Sequence, residues 1–251
     1  MKIRGKTNAL FLTFFFGCGI LIKNRKRNGQ MQKAIIFDFD GTIANTISAI
    51  REGVNLTMEK YGYPQHTDSD VLTFINNGAR MLIKRAMPAA LREDEELVTR
   101  VLADYDAFYG KVYHHTDVAY DGMIEAICEL HRRGWRIAVL SNKQDVYVKR
   151  LCGQILPDGI CEEAMGVAPG MPTKPDARLT QMLLDRLDVS PEHCVLVGDS
   201  DIDILTAQNA GISHVGVTWG FRSEEFLREK GATHLAHTPR ELVTVIESLQ
   251  L

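Results

Sequence analysis

The stretch AIIFDFDGTIANT, residues 34–46, is the part of the sequence on which the fold prediction depends. It begins with an apolar run that predicts a buried strand, and Asp38 and Asp40 stand at the end of that run, directly before Gly-Thr. Side chains two apart on a strand point in the same direction. We therefore expect the two carboxylates to share one pocket at the end of the strand.

The rest of the chain alternates short apolar runs with amphipathic helical patterns. Further strands are predicted at 135–142, 194–200, 213–220 and 233–236. TPRE at 238–241 supplies a threonine cap, a first-turn proline and a capping-box glutamate ahead of a last helix. This alternation predicts an α/β protein with a Rossmann-like, doubly wound parallel sheet and helices on both faces.

About 75 residues between the first strand and a helix near residue 121 contain no strong strand pattern. A connection of this length needs structure of its own. Its periodicity predicts three helical stretches, at 46–61, 68–86 and 93–113. We therefore predict a core domain of 32–45 and 118–251, with an α-helical cap at 46–117 inserted between hinges near 44–48 and 115–120.

Residues 1–31 differ from the rest of the chain. They carry seven Lys and Arg and no Asp or Glu, and residues 9–22 form an apolar run of 14. This run is shorter than the roughly 20 residues of a membrane-spanning helix, and no A-x-A-like cleavage site follows it. Three interpretations stay open: a membrane-tethering or signal-like leader, an expression artefact, and an extension upstream of a start at Met31.

The charge and cysteine content of the chain restrict its partners and compartment. Residues 32–251 hold 22 Lys and Arg against 32 Asp and Glu, which argues against nonspecific binding of nucleic acid. The five cysteines form no C-x-x-C pair, which favours a reducing compartment. We predict a cytoplasmic protein, or a membrane-tethered or exported one if residues 9–22 act as a real anchor or leader. No other stable membrane partner is expected, and the oligomeric state is left open.

Polar clusters follow several of the predicted strands, where α/β proteins bind their ligands. Ser141 and Asn142 follow the second strand, Asp199 and Asp203 follow the third, and Lys174 precedes a helix. Each cluster alone is typical of a turn, a helix cap or a loop. Together, at the same end of successive strands, they favour a functional site.

Crowded carboxylates suit phosphoryl transfer at a bound cation. They repel one another unless a cation compensates their charge, and Mg²⁺ prefers oxygen ligands. An aspartate is ionised at neutral pH and attacks without a base. A second aspartate protonates the leaving oxygen and then activates water if its environment raises its pKa. Asp38 and Asp40 suit these two roles.

The motifs DFDGT, SNK, TKP and GDSDID, in this order, resemble those of the haloacid dehalogenase superfamily, and the resemblance covers residues 34 to about 250. It implies that Asp38 is the nucleophile that forms an aspartyl phosphate and that Asp40 is the general acid and base. The implied phosphate-binding residues are Ser141 and Lys174, with Asn142 beside them and Thr42 fixing the loop. The implied Mg²⁺ ligands are the Asp38 side chain, the Asp40 backbone carbonyl and Asp199, with Asp203 as a further ligand or a partner of Lys174.

The predicted cap is similar to that of the subfamily that contains phosphoglycolate phosphatases and β-phosphoglucomutases. FINNGARMLIKRA, at 74–86, and the C-terminal sequence look most like the phosphoglycolate phosphatase group. This resemblance implies that Asn76, Asn77, Gly78 and Arg80 face the active site. Arg80 is then available for a carboxylate or a second phosphate of the substrate. The alternative for Arg80 is a solvated helix residue.

These features predict a Mg²⁺-dependent phosphatase that acts on a small phosphorylated metabolite of the phosphoglycolate type. Asp40 disfavours a dehalogenase, which does not need a second carboxylate because a halide leaves unprotonated. It also disfavours a phosphonatase, which resembles this architecture but uses a cap lysine and lacks the second aspartate. Sugar-phosphate mutases typically carry a histidine ten residues after the acid/base aspartate, where this chain has Ile50. A mutase, a pyrophosphatase or nucleotidase, and a catalytically silent binding module stay open, as does the exact ester.

Overall fold

The computed structural model describes residues 32–114 and 118–251. The predictions for residues 1–31, which concern the apolar run at 9–22 and a start at Met31, lie outside the described residues. So does part of the second predicted hinge, at 115–117. In the described part of the chain, no helix combines the length and the apolar character needed to cross a bilayer.

The strands form a six-stranded sheet and a separate two-stranded pair. They are β1 (Ala34–Phe37), β2 (Ala44–Asn45), β3 (Val118–Ala119), β4 (Arg136–Gln144), β5 (Cys161–Val167), β6 (Cys194–Gly198), β7 (Ser213–Val217) and β8 (Leu235–Ala236). The large sheet has the order β5-β4-β1-β6-β7-β8, and all of its neighbours are parallel. β2 and β3 pair antiparallel.

Ten α-helices connect or flank these strands in the described residues. They are α1 (Ile47–Lys60), α2 (Asp68–Phe74), α3 (Gly78–Ala86), α4 (Glu95–Val112), α5 (Met123–Arg132), α6 (Asp145–Ile155), α7 (Ala177–Leu187), α8 (Asp201–Ala210), α9 (Glu224–Glu229) and α10 (Pro239–Ser248). A parallel sheet with connecting helices confirms the predicted α/β, Rossmann-like fold.

The central strand β1 is buried on both faces of the sheet. Ile35 and Phe37 belong to one apolar cluster, whereas Ala34 and Ile36 belong to another, and all four are fully buried. This division follows the two-residue period of a strand, which sends alternate side chains to opposite faces. Burial on both faces explains why the run is continuously apolar rather than alternating. It also places Asp38 at the end of a fully buried central strand.

In the large sheet, one strand was not predicted from the sequence. β5, with the sequence CEEAMGV, lies at the edge of the sheet beside β4. An edge strand has one neighbour, so it needs fewer apolar residues than a central one. Its two glutamates and its glycine hid the strand pattern.

Helices α1 to α4 follow β2 and precede β3, so the two-stranded pair lies at the base of this helical segment. The helix predicted over 68–86 is divided, because α2 ends at Phe74 and α3 begins at Gly78. Asn76 and Gly78 have φ angles of 84° and 79°. Left-handed backbone of this kind interrupts a right-handed helix. The boundaries of the cap at 46 and 117 stay a prediction.

His214, in β7, should make the fold sensitive to acid. Both of its ring nitrogens are buried without a hydrogen-bond partner among the described residues, and burial lowers the pKa of His214 from 6.5 to about 4. As the pH falls, His214 is therefore protonated in the unfolded chain at a higher pH than in the folded protein. We expect His214 to remove about 2–3 kcal/mol from the free energy of unfolding between pH 6.5 and pH 4. Urea unfolding of wild type and His214→Phe across this range should show a shallower acid slope for the variant. Equal slopes would contradict this prediction.

Candidate active site

Three of the predicted site residues meet at the carboxyl edge of the sheet. Asp38 follows β1, Lys174 lies in the loop before α7, and Asp203 lies in the first turn of α8. Lys174 Nζ is 2.9 Å from Asp38 Oδ1 and 2.7 Å from Asp203 Oδ1. All three side chains are buried. The structure thus places one buried ammonium between two buried carboxylates.

Asp199 adds a third carboxylate from the end of β6. The backbone N–H of Phe221 donates to Asp199 Oδ2 at 2.7 Å, and Thr42 Oγ1 donates to Oδ1 at 3.3 Å. Thr42 therefore ties the loop after β1 to the cluster. One carboxylate oxygen each of Asp38, Asp199 and Asp203 lies within 4.8 Å of the other two.

Two glycines permit this close approach of the acids. Gly41 has a φ angle of 81°, and a Cβ atom there would lie 2.4 Å from Asp199 Oδ2. A Cβ atom at Gly198 would lie 2.2 Å from Asp203 Cγ. Both distances are far shorter than van der Waals contact, so a side chain at either position would displace an acid. The glycines of DFDGT and GDSDID therefore serve the site through packing.

Burial and mutual repulsion raise the pKa values of two of the acids. Burial is the largest cause of a raised pKa at Asp38; Lys174 opposes the shift and Asp203 adds to it, and the pKa reaches about 7 as a result. Burial, Asp203 and Asp38 together raise the pKa of Asp199 well above its ordinary value. Burial alone would lower the pKa of Lys174, but Asp203 and Asp38 raise it above the ordinary range. The cluster thus carries more negative charge than one lysine compensates.

Asp203 is oriented by the start of α8. The backbone N–H and the hydroxyl of Ser200 donate to Asp203 Oδ2, at 3.1 and 2.6 Å. Its other oxygen accepts from Lys174 Nζ. Asp203 is thus at once a capping-box residue and the partner of Lys174 that the sequence analysis offered as an alternative to a metal ligand.

Asp40 lies beside this cluster at the wall of a cavity. Thr46 Oγ1 donates to Asp40 Oδ1 at 2.7 Å, and Lys143 Nζ lies 2.9 Å from the same oxygen. The Asp40 side chain is 21% exposed, whereas that of Asp38 is 11% exposed. Of the two aspartates, Asp40 is therefore the more accessible to a solvent molecule.

Ser141 and Asn142, near the end of β4, differ in what their side chains contact. Ser141 lines the cavity with Asp38 and Lys174. The amide of Asn142 donates to the carbonyls of Asn76 and Lys174, at 3.0 and 3.1 Å, and accepts from the Lys174 N–H at 2.7 Å. Asn142 thus joins the lysine loop to the segment between α2 and α3. Its predicted place among the phosphate-binding residues stays a prediction.

The structure does not bring Arg80 together with the other predicted residues. Its guanidinium donates to Glu95 and to Thr99, its side chain is 42% exposed, and it does not line the cavity. This placement matches the alternative of a solvated helix residue. Its predicted substrate contact stays a prediction that no contact in the structure supports. Of the loop residues that the resemblance implied to face the active site, Asn76 and Gly78 line the cavity, whereas Asn77 does not.

The cavity above the cluster has a volume of about 80 Å³. Its walls include residues that the sequence analysis did not select, namely Tyr105, Tyr109, Lys143, Gln144 and Tyr147. Lys143 is the last residue of the SNK motif, so that motif was the available signal. The tyrosines of α4 carry no comparable signal, since their helical spacing is equally typical of a packed core.

A buried aspartate paired with a lysine, next to further acids and beneath a small cavity, can position a phosphoryl group and stabilise its charge. The family model for haloacid dehalogenase-like hydrolases matches residues 35–217. The chain therefore belongs to the haloacid dehalogenase-like hydrolase family, and its relatives identify it as a phosphatase of that family.

Several named relatives cover most of the chain. The phosphoglycolate phosphatase of Vibrio vulnificus strain CMCP6 is 29% identical over 86% of this chain and 97% of its own length. That of Vibrio cholerae serotype O1 is 30% identical over 77% of this chain and 87% of its own length. A crystal structure from Lactobacillus delbrueckii subsp. bulgaricus, provisionally assigned as a phosphoglycolate phosphatase, is 30% identical, covers 86% of this chain and 99% of its own, and has a TM-score of 0.80.

Proposed function

We propose that this phosphatase hydrolyses a small phosphate monoester of the phosphoglycolate type, that it depends on Mg²⁺, and that Asp38 forms an aspartyl phosphate. The pairing of Asp38 Oδ1 with Lys174 Nζ at 2.9 Å, at the floor of the cavity, is the observation that carries the proposal. A lysine at this distance holds the carboxylate in place and offers positive charge to the equatorial oxygens of a phosphoryl group.

The proposed reaction has two steps. An Asp38 oxygen attacks phosphorus, so that the new O–P bond forms while the bond from phosphorus to the ester oxygen breaks. Asp40 gives its proton to the leaving alcohol, and then takes one from the water that hydrolyses the aspartyl phosphate. Lys174 and Ser141 bind the phosphoryl oxygens. Phosphate leaves, and both aspartates return to their starting states.

The residues suit a divalent cation. Carboxylate oxygens of Asp38, Asp199 and Asp203 lie within 4.8 Å of one another, and the pKa values of Asp38 and Asp199 are raised by burial first and by neighbouring acids second. A donor set made of oxygens alone favours Mg²⁺. Asp38, Asp199 and the backbone carbonyl of Asp40 would hold the ion, with Asp203 nearby. The bound ion would neutralise charge that develops on the phosphoryl oxygens.

We also propose that residues 46–117 act as a cap over this site. Lys143 Nζ donates to the hydroxyl of Tyr109 in α4 at 2.7 Å, and Arg222 donates to the carbonyl of Leu72 at 3.0 Å. With the bond from Asn142 to Asn76, these contacts hold the helical segment against the core. A cap in this position excludes bulk water while the ester reacts.

Two observations support a small metabolite as substrate. The cavity volume of about 80 Å³ is well below the ~300–1,000 Å³ of sites for drug-sized ligands. Relatives that match most of the chain at 29–30% identity are named phosphoglycolate phosphatase. We further propose a cytoplasmic location, which the free thiols of Cys152, Cys161 and Cys194 favour.

A phosphate-release assay tests this function. The panel should include 2-phosphoglycolate, pyrophosphate, nucleoside monophosphates and hexose phosphates, each with Mg²⁺ and then with a chelator. We expect 2-phosphoglycolate to have the highest kcat/KM and the chelator to abolish release. Acid quench of a single turnover with ³²P-labelled substrate should leave label on the peptide that contains Asp38. Preference for a nucleotide or for pyrophosphate, or isomerisation of β-glucose 1-phosphate, would contradict the proposed substrate, and no reaction in any assay would indicate a silent binding module.

A further inference from the structure

The cavity contains a second cation besides the one paired with the proposed nucleophile. Among the described residues, the basic side chains that line it are Lys174 and Lys143. Lys174 is held between Asp38 and Asp203, at the floor. Lys143 belongs to the wall that faces α4. The two ammonium groups therefore serve different parts of the cavity.

Lys143 is fixed rather than solvated. Its side chain is 6% exposed, and its Nζ lies 2.9 Å from Asp40 Oδ1. The same atom donates to the Tyr109 hydroxyl at 2.7 Å and lies 4.8 Å from the centre of the Tyr109 ring. Tyr147 packs edge-on against that ring, with centroids 5.1 Å apart. A buried ammonium held in this way interacts strongly with an anion that enters the cavity, because little water screens it.

The basic residues of the neighbouring α3 do not perform this role. None of them lines the cavity, since each side chain is directed to other groups: Arg80 donates to Glu95, Lys84 pairs with Glu93 and Glu95, and Arg85 donates to the carbonyls of Phe74 and Ile75. Among the described residues, Lys143 is therefore the basic side chain that can bind an anion inside the cavity away from its floor.

We propose that Lys143, with the Tyr109 hydroxyl, binds a second anionic group of the substrate, namely its carboxylate. This inference rests on the proposed function, since it takes the phosphoryl group to lie at Asp38 and Lys174. A two-carbon phosphorylated acid then has one anion at each lysine, within a cavity of about 80 Å³. Lys143 is a specificity-determining residue that selects phosphorylated acids over neutral phosphate esters of equal size.

Binding of unreactive analogues tests Lys143 without turnover. 3-Phosphonopropionate keeps both anions of 2-phosphoglycolate, whereas propylphosphonate lacks the carboxylate. By calorimetry with Mg²⁺, we expect wild type to prefer 3-phosphonopropionate by about 10-fold or more. Lys143→Met should reduce this preference to about 2-fold or less. The matched control is Lys149→Met, whose lysine lies on α6 with a side chain 60% exposed and pairs with Asp145, and it should keep the wild-type preference.

Kinetics separate this proposal from an effect of Lys143 on Asp40. Lys143→Met should lower kcat/KM for 2-phosphoglycolate about 10-fold or more relative to 2-hydroxyethyl phosphate. An equal loss for both esters, with the analogue preference unchanged, would overturn the proposal and make Lys143 a positioning residue for Asp40. If wild type hydrolyses neither ester, the proposed function fails, while the analogue preference still decides the role of Lys143.

A milder variant keeps the test valid if Lys143→Met fails to fold. Tyr109→Phe removes one hydroxyl and keeps the ring that packs against Lys143 and Tyr147. We expect it to reduce the preference for 3-phosphonopropionate about 3-fold, since it removes one neutral hydrogen-bond donor from the carboxylate. A wild-type preference in Tyr109→Phe, or equal affinities of wild type for the two analogues, would overturn the proposal.

Discussion

Asp38→Asn should abolish phosphate release and leave the protein folded. The amide cannot attack phosphorus as a carboxylate does, so we expect kcat to fall about 10⁴-fold or more. The same change removes a negative charge from a cluster in which burial and Asp203 raise the pKa of Asp38 to about 7. At pH 8 in chelator, the free energy of unfolding should therefore rise by about 1–3 kcal/mol. Phosphate release and urea unfolding measure the two effects.

The opposite signs of these two effects make the test specific. A variant that lost activity through misfolding would also lose stability, whereas loss of a nucleophile leaves stability intact or higher. Asp158→Asn is a matched control, because Asp158 is exposed on the turn before β5 and should change neither quantity. Activity of Asp38→Asn above about 1% of wild type would mean that another group is the nucleophile.

Lys174→Met should destabilise the metal-free protein strongly. Lys174 is the ammonium between Asp38 and Asp203, and its removal leaves their buried charge uncompensated. Loss of one partner of a buried ion pair typically removes about 3–5 kcal/mol from the free energy of unfolding. Activity should fall about 10³-fold, since the phosphoryl oxygens lose their cationic partner. Urea unfolding at pH 8 in chelator, together with phosphate release in Mg²⁺, checks both expectations.

The pH and the cation should change the size of this destabilisation. The pKa of Asp38 is raised, so the folded protein holds a proton there at pH 5 and much less of one at pH 8. The decrease in the free energy of unfolding caused by Lys174→Met should therefore be smaller at pH 5. Mg²⁺ should restore part of the stability at pH 8, because it supplies positive charge to the same acids. Lys149→Met, an exposed lysine removed by the same change, should show none of these effects. A decrease in stability that is independent of pH and Mg²⁺ would indicate a packing defect instead of uncompensated negative charge on the acids.

The local sequence predicted those helices and strands whose own pattern of apolar and polar residues is enough to identify them. β1 reads as a strand because its alternate side chains enter two apolar clusters, and the acids after β1 and β6 meet because neighbouring parallel strands end at one edge. The family of the chain could be predicted as well, because its motifs are short, local stretches that can be recognised without the tertiary structure. β5 was missed, since an edge strand need not be apolar, and a helix over 68–86 was predicted too long, since Asn76 adopts a left-handed conformation.

The sequence by itself determined the α/β fold, the acids that cluster and the lysine between them, because short motifs and strand order are enough to place them at one edge. The direction of the other basic side chains was decided only by the tertiary structure. Arg80 turns away to Glu95, fifteen residues along the chain, while Lys143 turns into the cavity towards Tyr109, thirty-four residues before it. The direction of each side chain depends on which charged groups and aromatic rings the packing of α3, α4 and β4 brings close to it. No local sequence pattern encodes this packing.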